Sequence, residues 1–397
     1  MSSAAEPRPA TGPGTVAERS EAEALDRQIH DFIARSTRTW TAEPEELDQL
    51  LRQVFAHQIR WNPAYARYAA RRGAENDRIR RVADIPAVPA RAFTRMRMAT
   101  FPPEHTVRRF RSSGTTGGPR AVLELDPAQL ALYDAALLPP FVRYLLPDRR
   151  DLAWVALLPD PFQAPESSLA AMIGSAALKL DRRVDYCGLA GGGLDVARAR
   201  TVLAAHKARP MPVLLLATAL TLDRLVTELA ADHETLALPP GSRVMETGGF
   251  KGRRKDVERA TLISAITTRL GIPAAAVIGE YGMTEMTSQF YDPSFREAVL
   301  TGTSPTARRM VGPPWVRTRV VDPITLADVP AGEEGLLLHL DAAARSSAVA
   351  LLTEDRGRML ADGFELRGRM PGAAPRGCSL ALDELVRAAE SGGDDPS

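Results

Sequence analysis

Eight residues, Ser112 to Pro119, read SSGTTGGP and bring four hydroxyls and three glycines together. Glycine lets a backbone approach a ligand closely and turn successive amides onto an anion. Ser112, Ser113, Thr115 and Thr116 add neutral donors around Gly114 and Gly117. Such a loop can hold the charged oxygens of a nucleotide triphosphate. Arg120 follows directly as a fixed cation. The pattern is not a Walker loop, which would end in Gly-Lys-Ser/Thr before a helix. A plain turn uses the same residue types, but this loop lies between extended segments, which favours binding.

A second cluster, GEYGMTE, runs from Gly279 to Glu285 after the apolar run AAAVI. Tyr281 can stack on a base, Thr284 can donate to a phosphate and Glu285 can hold magnesium. A third, TED, ends at Asp355, whose carboxylate can accept both hydroxyls of a ribose or simply cap a turn. Near the C-terminus stands RGCSLALDE, with Cys378, one of two cysteines in the chain. A thiolate there is a strong nucleophile; a buried thiol is an inert small hydrophobe. Cys187, in VDYCGLAGGG, reads as core. No two histidines have metal-ligand spacing and no GxSxG is present.

These residues need elements to position them. The 397 residues carry 45% hydrophobic and 25% charged side chains, the balance of a globular protein with a sizeable core. The net charge of +1 argues against nucleic acid as a partner. No run of about 18 apolar residues reads as a membrane span. Two cysteines make no disulfide framework, so a reducing cytoplasm fits.

Residues 1–20, rich in Pro, Ala, Gly and Ser, read as a flexible arm. EAEALDRQIHDFIA and PEELDQLLRQVFAHQI each carry an apolar stripe at helical spacing. Further on, apolar runs alternate with helical patterns: DLAWVALLP, MPVLLLATA, SRVMETGG and AAVIGEYG are strands with helices between them. That alternation predicts a doubly wound α/β sheet, with ligands at the carboxyl ends of its strands. From about residue 305, WVRTRVVDP, EGLLLHLD and SAVALLTED predict a smaller β-rich subdomain.

In this order, SSGTTGGPR, YGMTE, TED and GR at Gly368-Arg369 resemble the acyl-adenylate-forming superfamily. VPARAF, AGGGLD, ETGGFKGRRK, GEYGMTEMTSQFYD, TEDRGR and PRGCSL resemble, more narrowly, the acyl-protein synthetase family, known from the fatty-acid reductase complex of luminous bacteria. The resemblance covers about residues 85 to 385. It implies a large adenylate-forming domain over 21–365 and a short tail, 366–397, that carries Cys378 on a mobile segment. It implies ATP and Mg²⁺ as cofactors. Ser112, Ser113, Gly114, Thr115, Thr116 and Gly117 would wrap the outer phosphates. Gly248 and Gly249 would line the adenine side and Tyr281 would stack on it, Gly282 and Met283 would belong to the same nucleotide-binding motif, Thr284 would contact the α-phosphate and Asp355 the ribose. Glu285 would hold the metal. Arg369 would mark the hinge, Arg120 or Arg369 would neutralise phosphate charge, and Cys378 would be acylated. Apart from the resemblance, Arg376 two residues away is expected to make that thiol more acidic.

Many superfamily members have Lys where this chain has Arg120. Only 28 residues follow Arg369 and no lysine follows Lys255, so the usual C-terminal domain is expected to be absent or vestigial.

The implied activity is ATP-dependent activation of a carboxylic, and chiefly a fatty, acid. The acyl group would then pass through Cys378 to an acyl reductase or a carrier protein. Two alternatives stay open: a ligase for coenzyme A or acyl carrier protein in which Cys378 is a bystander, and a degenerate nucleotide-binding scaffold.

Overall fold

The computed structural model describes residues 15–75, 78–113, 119–209, 211–248, 259–302, 308–370 and 376–390. Two compact units emerge. One comprises residues 1–136, 283–288 and 312–397; the other comprises 137–282 and 289–311.

The first unit opens with helices α1 (Val16–Thr39), α2 (Pro44–Trp61) and α3 (Pro63–Arg71). Thr15 starts α1 with a capping box: its hydroxyl accepts from Glu18 N–H, and the Glu18 carboxylate accepts from Thr15 N–H. The buried residues of α1 include Leu25, Ile29, Phe32 and Ile33, the stripe expected from spacing. α2 buries Leu47, Leu50, Leu51, Val54 and Phe55 in the same way. Strand β1 (Val88–Pro89) is followed by the hairpin β2 (Arg108–Arg111) and β3 (Val122–Leu125), and helix α4 spans Pro127–Leu145.

The second unit holds β4 (Ala153–Ala156), α5 (Ser168–Lys179), β5 (Val184–Tyr186), α6 (Val196–Lys207), β6 (Val213–Thr218) and α7 (Ala219–Ala231). β7 (Arg243–Thr247), α8 (Arg259–Leu270), β8 (Val277–Tyr281), β9 (Phe290–Tyr291) and α9 (Ser294–Thr301) complete it. The strand order is β5-β4-β6-β7-β8-β9, parallel except for the β8–β9 pair. The chain steps one way from β4 to β5 and the other way from β5 through β6 and β7 to β8, so the predicted doubly wound sheet is present. Val155, Val213, Leu215, Val244 and Val277 share one core with Leu203 of α6, Leu225 and Leu229 of α7, and Ile266 of α8. Each such side chain contributes about 1.5–3 kcal/mol when fully buried.

The chain then returns to the first unit as β10 (Val316–Val321), β11 (Glu334–Asp341), β12 (Ala350–Leu360), β13 (Gly363–Arg369) and α10 (Arg376–Glu390). The predicted β-rich segment is an antiparallel sheet, with β1 added from far upstream. Val88 pairs in parallel with Leu351 of β12. A two-residue strand has no periodicity, so spacing could not announce it.

Between β11 and β12 the loop Ala342 to Val349 is buried throughout. Backbone polar groups inside a core need partners, and two buried glutamines supply them. Gln58 Nε2 donates to Ala344 O at 2.6 Å, and its Oε1 accepts from Val349 N–H at 2.8 Å. Gln129 Nε2 donates to Ala343 O at 2.8 Å, and its Oε1 accepts from Ser346 N–H at 2.8 Å. Arg345, 4% exposed, pairs with Asp26 at 2.8 Å and Asp126 at 3.4 Å. Among the described residues, no helix is long and apolar enough to cross a membrane.

Candidate functional site

The glycine-hydroxyl loop joins β2 to β3. Ser112 closes its base twice: its N–H donates to Ala121 O at 3.0 Å, and its hydroxyl accepts from Ala121 N–H at 3.0 Å. Glu124 of β3 anchors the hairpin by accepting from Arg97 and from both Arg109 Nε (3.0 Å) and a terminal Arg109 nitrogen (2.6 Å). Burial works to raise the Glu124 carboxyl, but these guanidiniums hold it below its ordinary value. Ser113 and Arg120 are exposed at the two ends of the loop. Gly114, Thr115, Thr116 and Gly117 lie outside the described residues, as does Gly249.

The YGMTE motif begins at the carboxyl end of β8. Its Tyr281 and Gly282 belong to the second unit, and Met283, Thr284 and Glu285 to the first. Thr284 and Glu285 are 8% and 7% exposed. The residues just after them are tied to β11. Ser288 N–H and Oγ donate to the two Asp341 oxygens at 2.8 and 3.0 Å, and Trp315 Nε1 donates to Ser288 Oγ at 3.0 Å. Burial pushes the Asp341 carboxyl up to about 6 against these hydrogen bonds.

Asp355 and Arg369 stand opposite each other in register on β12 and β13, and their side chains approach to 3.5 Å. Two residues chosen from motifs fourteen positions apart are thus brought together by one hairpin.

Cys378 departs from expectation. Its segment is helix α10, not a mobile tail, and the thiol is 4% exposed. Cys378, Ala381, Leu385 and Ala388 form the buried stripe of that helix. Spacing of three and four makes the cysteine a core position of an amphipathic helix. Gly377 lets the helix start against the chain: a Cβ there would come within 2.7 Å of Pro323 O and 2.8 Å of Leu326 Cδ2. The other end is held by α3. Arg67 donates to the Ala388 and Ala389 carbonyls, Arg71 to those of Glu384 and Arg387, and Arg72 pairs with the Glu384 carboxylate at 2.6 Å. Cations at the last carbonyls of a helix satisfy orphan acceptors and oppose its dipole.

Burial pushes the Cys378 thiol up to about 12; Glu354 adds to the rise and Arg91 opposes it. Arg376, expected to make the thiol more acidic, is not among its determinants. Arg91 and Glu354 form an ion pair, and both line a cavity of about 100 Å³ with Cys378, Leu352 and Leu382. Sγ lies 3.9 Å from the Thr353 carbonyl oxygen, two residues before Asp355.

A thiol so placed is expected to react slowly with an alkylating reagent at neutral pH. Arg67→Ala removes two donors from the end of α10 and should speed alkylation by at least about tenfold, since even one charged hydrogen bond contributes about 1.5–3 kcal/mol. Timed alkylation read by intact mass checks this; equal rates would show that α3 does not hold the helix down. Cys187 reports in the same spectrum as a second buried thiol, pushed up to about 11 by burial.

In the second unit Gly248 follows β7 with φ +72°, a left-handed conformation that glycine adopts without strain, and a Cβ there would meet none of the described residues within 4 Å. Tyr281 is 7% exposed, its ring 5.8 Å from that of Phe290. Sequence reading passed over Glu280. It is the one charged residue inside the apolar strand β8, and that was the available signal. The Arg91–Glu354 pair joins positions 263 residues apart and left no local signal.

The family model described as "Acyl-protein synthetase, LuxE" matches residues 26–386. A long-chain-fatty-acid–luciferin-component ligase from Vibrio harveyi is 33% identical over 89 residues, 21% of this chain and 24% of that protein. One from Aliivibrio fischeri is 25% identical over 155 residues, 36% of this chain and 38% of that protein. The matched stretches span well under half the length of these relatives. Among solved structures, an open conformation of 2-hydroxyisobutyryl-CoA ligase, holding 2-HIB-AMP and CoA, superposes with a TM-score of 0.61 at 16% identity. It covers 85% of this chain and 78% of that one. The same enzyme in its thioesterification state gives 0.59 at 18% identity, over 85% and 68%. This likeness is one of fold: the α/β fold of adenylate-forming ligases. With its match running from α1 to α10, across the hydroxyl loop, the YGMTE motif and Cys378, the chain belongs to the LuxE family of acyl-protein synthetases.

Proposed function

We propose that this protein condenses a carboxylic acid, of the fatty-acid class, with ATP and passes the acyl group to a thiol. In the first step a carboxylate oxygen attacks the α-phosphorus, and the bond to pyrophosphate breaks. In the second a thiolate attacks the acyl carbon, and AMP leaves with the bonding electrons. Cys378 is the thiol in this reading, and an acyl reductase or carrier protein receives the acyl group afterwards.

The observation that carries the reading is the pairing of Asp355 with Arg369 beside the strand that backs Cys378. The thiol of α10 is 3.9 Å from the Thr353 carbonyl, so the nucleophile packs against the strand that carries the proposed ribose ligand. The relatives' names, which are those of long-chain fatty-acid ligases, support the acid class.

In the first unit, Ser112, Ser113, Gly114, Thr115, Thr116 and Gly117 would hold the outer phosphates. Thr284 would contact the α-phosphate, with Arg120 and Arg369 offsetting its charge. In the second unit Gly248, Gly249, Tyr281 and Gly282 would line the base, with Met283 next in the chain. Among the described residues no group of three or more His, Cys, Asp or Glu side chains could hold a metal by itself. A magnesium ion carried in by nucleotide phosphates needs only one or two protein carboxylates, which the buried Glu285 fits. Bound there, Mg²⁺ would stabilise charge on the departing pyrophosphate.

The buried thiol adds a condition. Attack needs thiolate, and a thiol raised to about 12 supplies almost none at neutral pH. Acylation of Cys378 therefore requires α10 to leave its seat, where exposure would return the thiol toward its ordinary value of about 8.5. The same burial favours a second reading, in which free coenzyme A or a carrier thiol takes the acyl group and Cys378 only packs α10.

Incubation with ATP, magnesium and a panel of acids tests the first reading. The expected result is acid-dependent pyrophosphate release and a protein mass increased by one acyl group. Pyrophosphate release without an adduct, with thioester appearing on added coenzyme A, would establish the second. No pyrophosphate with any acid would overturn both.

A further inference from the structure

At the carboxyl ends of β6, β7 and β8, Thr218, Thr247 and Glu280 form one row across the sheet, in register and on one face. Directly beneath lies the apolar row Leu216, Met245 and Ile278. Glu280 is thus a carboxyl at the rim of a hydrophobic face, 7% exposed. Thr247 Oγ1 donates to its Oε2. Among the described residues, Oε1 accepts no hydrogen bond. That oxygen leans over Gly282: a Cβ there would stand 2.6 Å from it. Among the described residues, nothing stands within 4 Å of where a side chain on Gly248, at the neighbouring strand end, would begin.

The Arg259 guanidinium close by is already engaged. Arg259 is bound to Glu246 at 2.8 and 2.9 Å, and its terminal nitrogen lies against Gly279. Among the described residues Glu280 therefore has no counter-ion. Burial, with Glu246 adding to it, pushes its carboxyl up to about 7 despite the Thr247 hydrogen bond. A buried polar group with an unmet lone pair is costly unless a partner arrives.

We propose that Glu280 is a specificity-determining residue whose Oε1 accepts a hydrogen bond from an N–H or O–H group of the small molecule bound at these strand ends. The role rests on the adenylation reading for the identity of the ligands. Two parts of those ligands carry such donors: the exocyclic amine of the base and a hydroxyl or amino substituent on the acid. In doubly wound sheets both kinds of ligand belong outside the carboxyl ends of the strands. The absence of a side chain at Gly282 leaves Oε1 room to be reached.

Calorimetric titration of the intact chain, the Glu280→Gln variant and the Glu280→Ala variant tests it without requiring turnover. One arm compares Mg-ATP with a purine triphosphate lacking the exocyclic amine. The other compares fatty acids with and without a hydroxyl, each in the presence of nucleotide. In one arm the unmodified chain should prefer the donor-bearing ligand by about tenfold to a hundredfold, the range for a hydrogen bond to a charged group. Glu280→Ala should erase that preference, and Glu280→Gln, whose amide oxygen still accepts, should keep part of it. The arm that responds identifies the donor. The proposal is overturned if the alanine variant weakens every ligand equally, as a purely structural residue would, if no preference exists in the unmodified chain, or if nothing binds. Failure of pyrophosphate release alone, with the preference intact, would count against adenylation and not against Glu280.

Discussion

A Cys378→Ala chain is expected to release pyrophosphate from ATP in an acid-dependent first turnover and to take up no acyl mass. The nucleophile is the only atom removed, and loss of a catalytic nucleophile costs on the order of a thousandfold or more in the step that needs it. The residues proposed for adenylation lie on other elements, so that half-reaction should continue until the adenylate fills the site. The substitution is also mild for the fold. Ala keeps the small side chain of the α10 stripe, next to an existing cavity of about 100 Å³. Intact mass and quenched-flow pyrophosphate assays separate the outcomes. A persisting adduct on the alanine variant would remove Cys378 from the mechanism. Equal thioester formation on coenzyme A by both chains, with no adduct on either, would leave the thiol as packing.

The second large effect concerns stability. Arg345→Ala should destabilise the first unit by about 3–5 kcal/mol, the range for leaving buried charges without their partner. The guanidinium joins Asp26 of α1 and Asp126, just ahead of α4, to the buried loop between β11 and β12. Burial already raises the Asp26 carboxyl above its ordinary value even with Arg345 opposing it. Without Arg345 it should rise further. A carboxyl whose folded value is raised binds its proton more tightly in the folded state, so stability grows as pH falls through that value. The deficit of the variant should therefore be largest at alkaline pH and shrink as pH falls. Urea unfolding at several pH values would show this; a deficit independent of pH would mean that the carboxylates are not the cause.

Much of the architecture was legible because short-range patterns report it. The stripes Leu25, Ile29, Phe32 and Leu47, Leu50, Val54 announced α1 and α2, since a helix repeats its faces every three to four residues. Continuous apolar runs announced β4 and β6, as strands buried on both faces should, and apolar residues ahead of glycines announced β7 and β8. β1, β5 and β9, two or three residues each, carry no such pattern. Their place depends on which distant strand offers hydrogen bonds.

The chain order of motifs was sufficient to name residue types for phosphate, base, ribose and metal, because backbone freedom, hydroxyls and carboxylates are properties of single residues. Whether each can act is a property of its surroundings. Cys378 had the chemistry of a nucleophile on paper, and folding put it in the stripe of α10 with its thiol at about 12, since burial penalises a thiolate wherever it sits. Glu280 looked like one polar letter in an apolar strand. Only the pairing of β7 with β8 set it beside Thr247 and against Gly282, without a counter-ion among the described residues. Composition and spacing thus determined the elements and the inventory of reactive groups. Burial and long-range partners, which arise only when distant segments exchange water for one another, decided which of those groups are charged, accessible and paired.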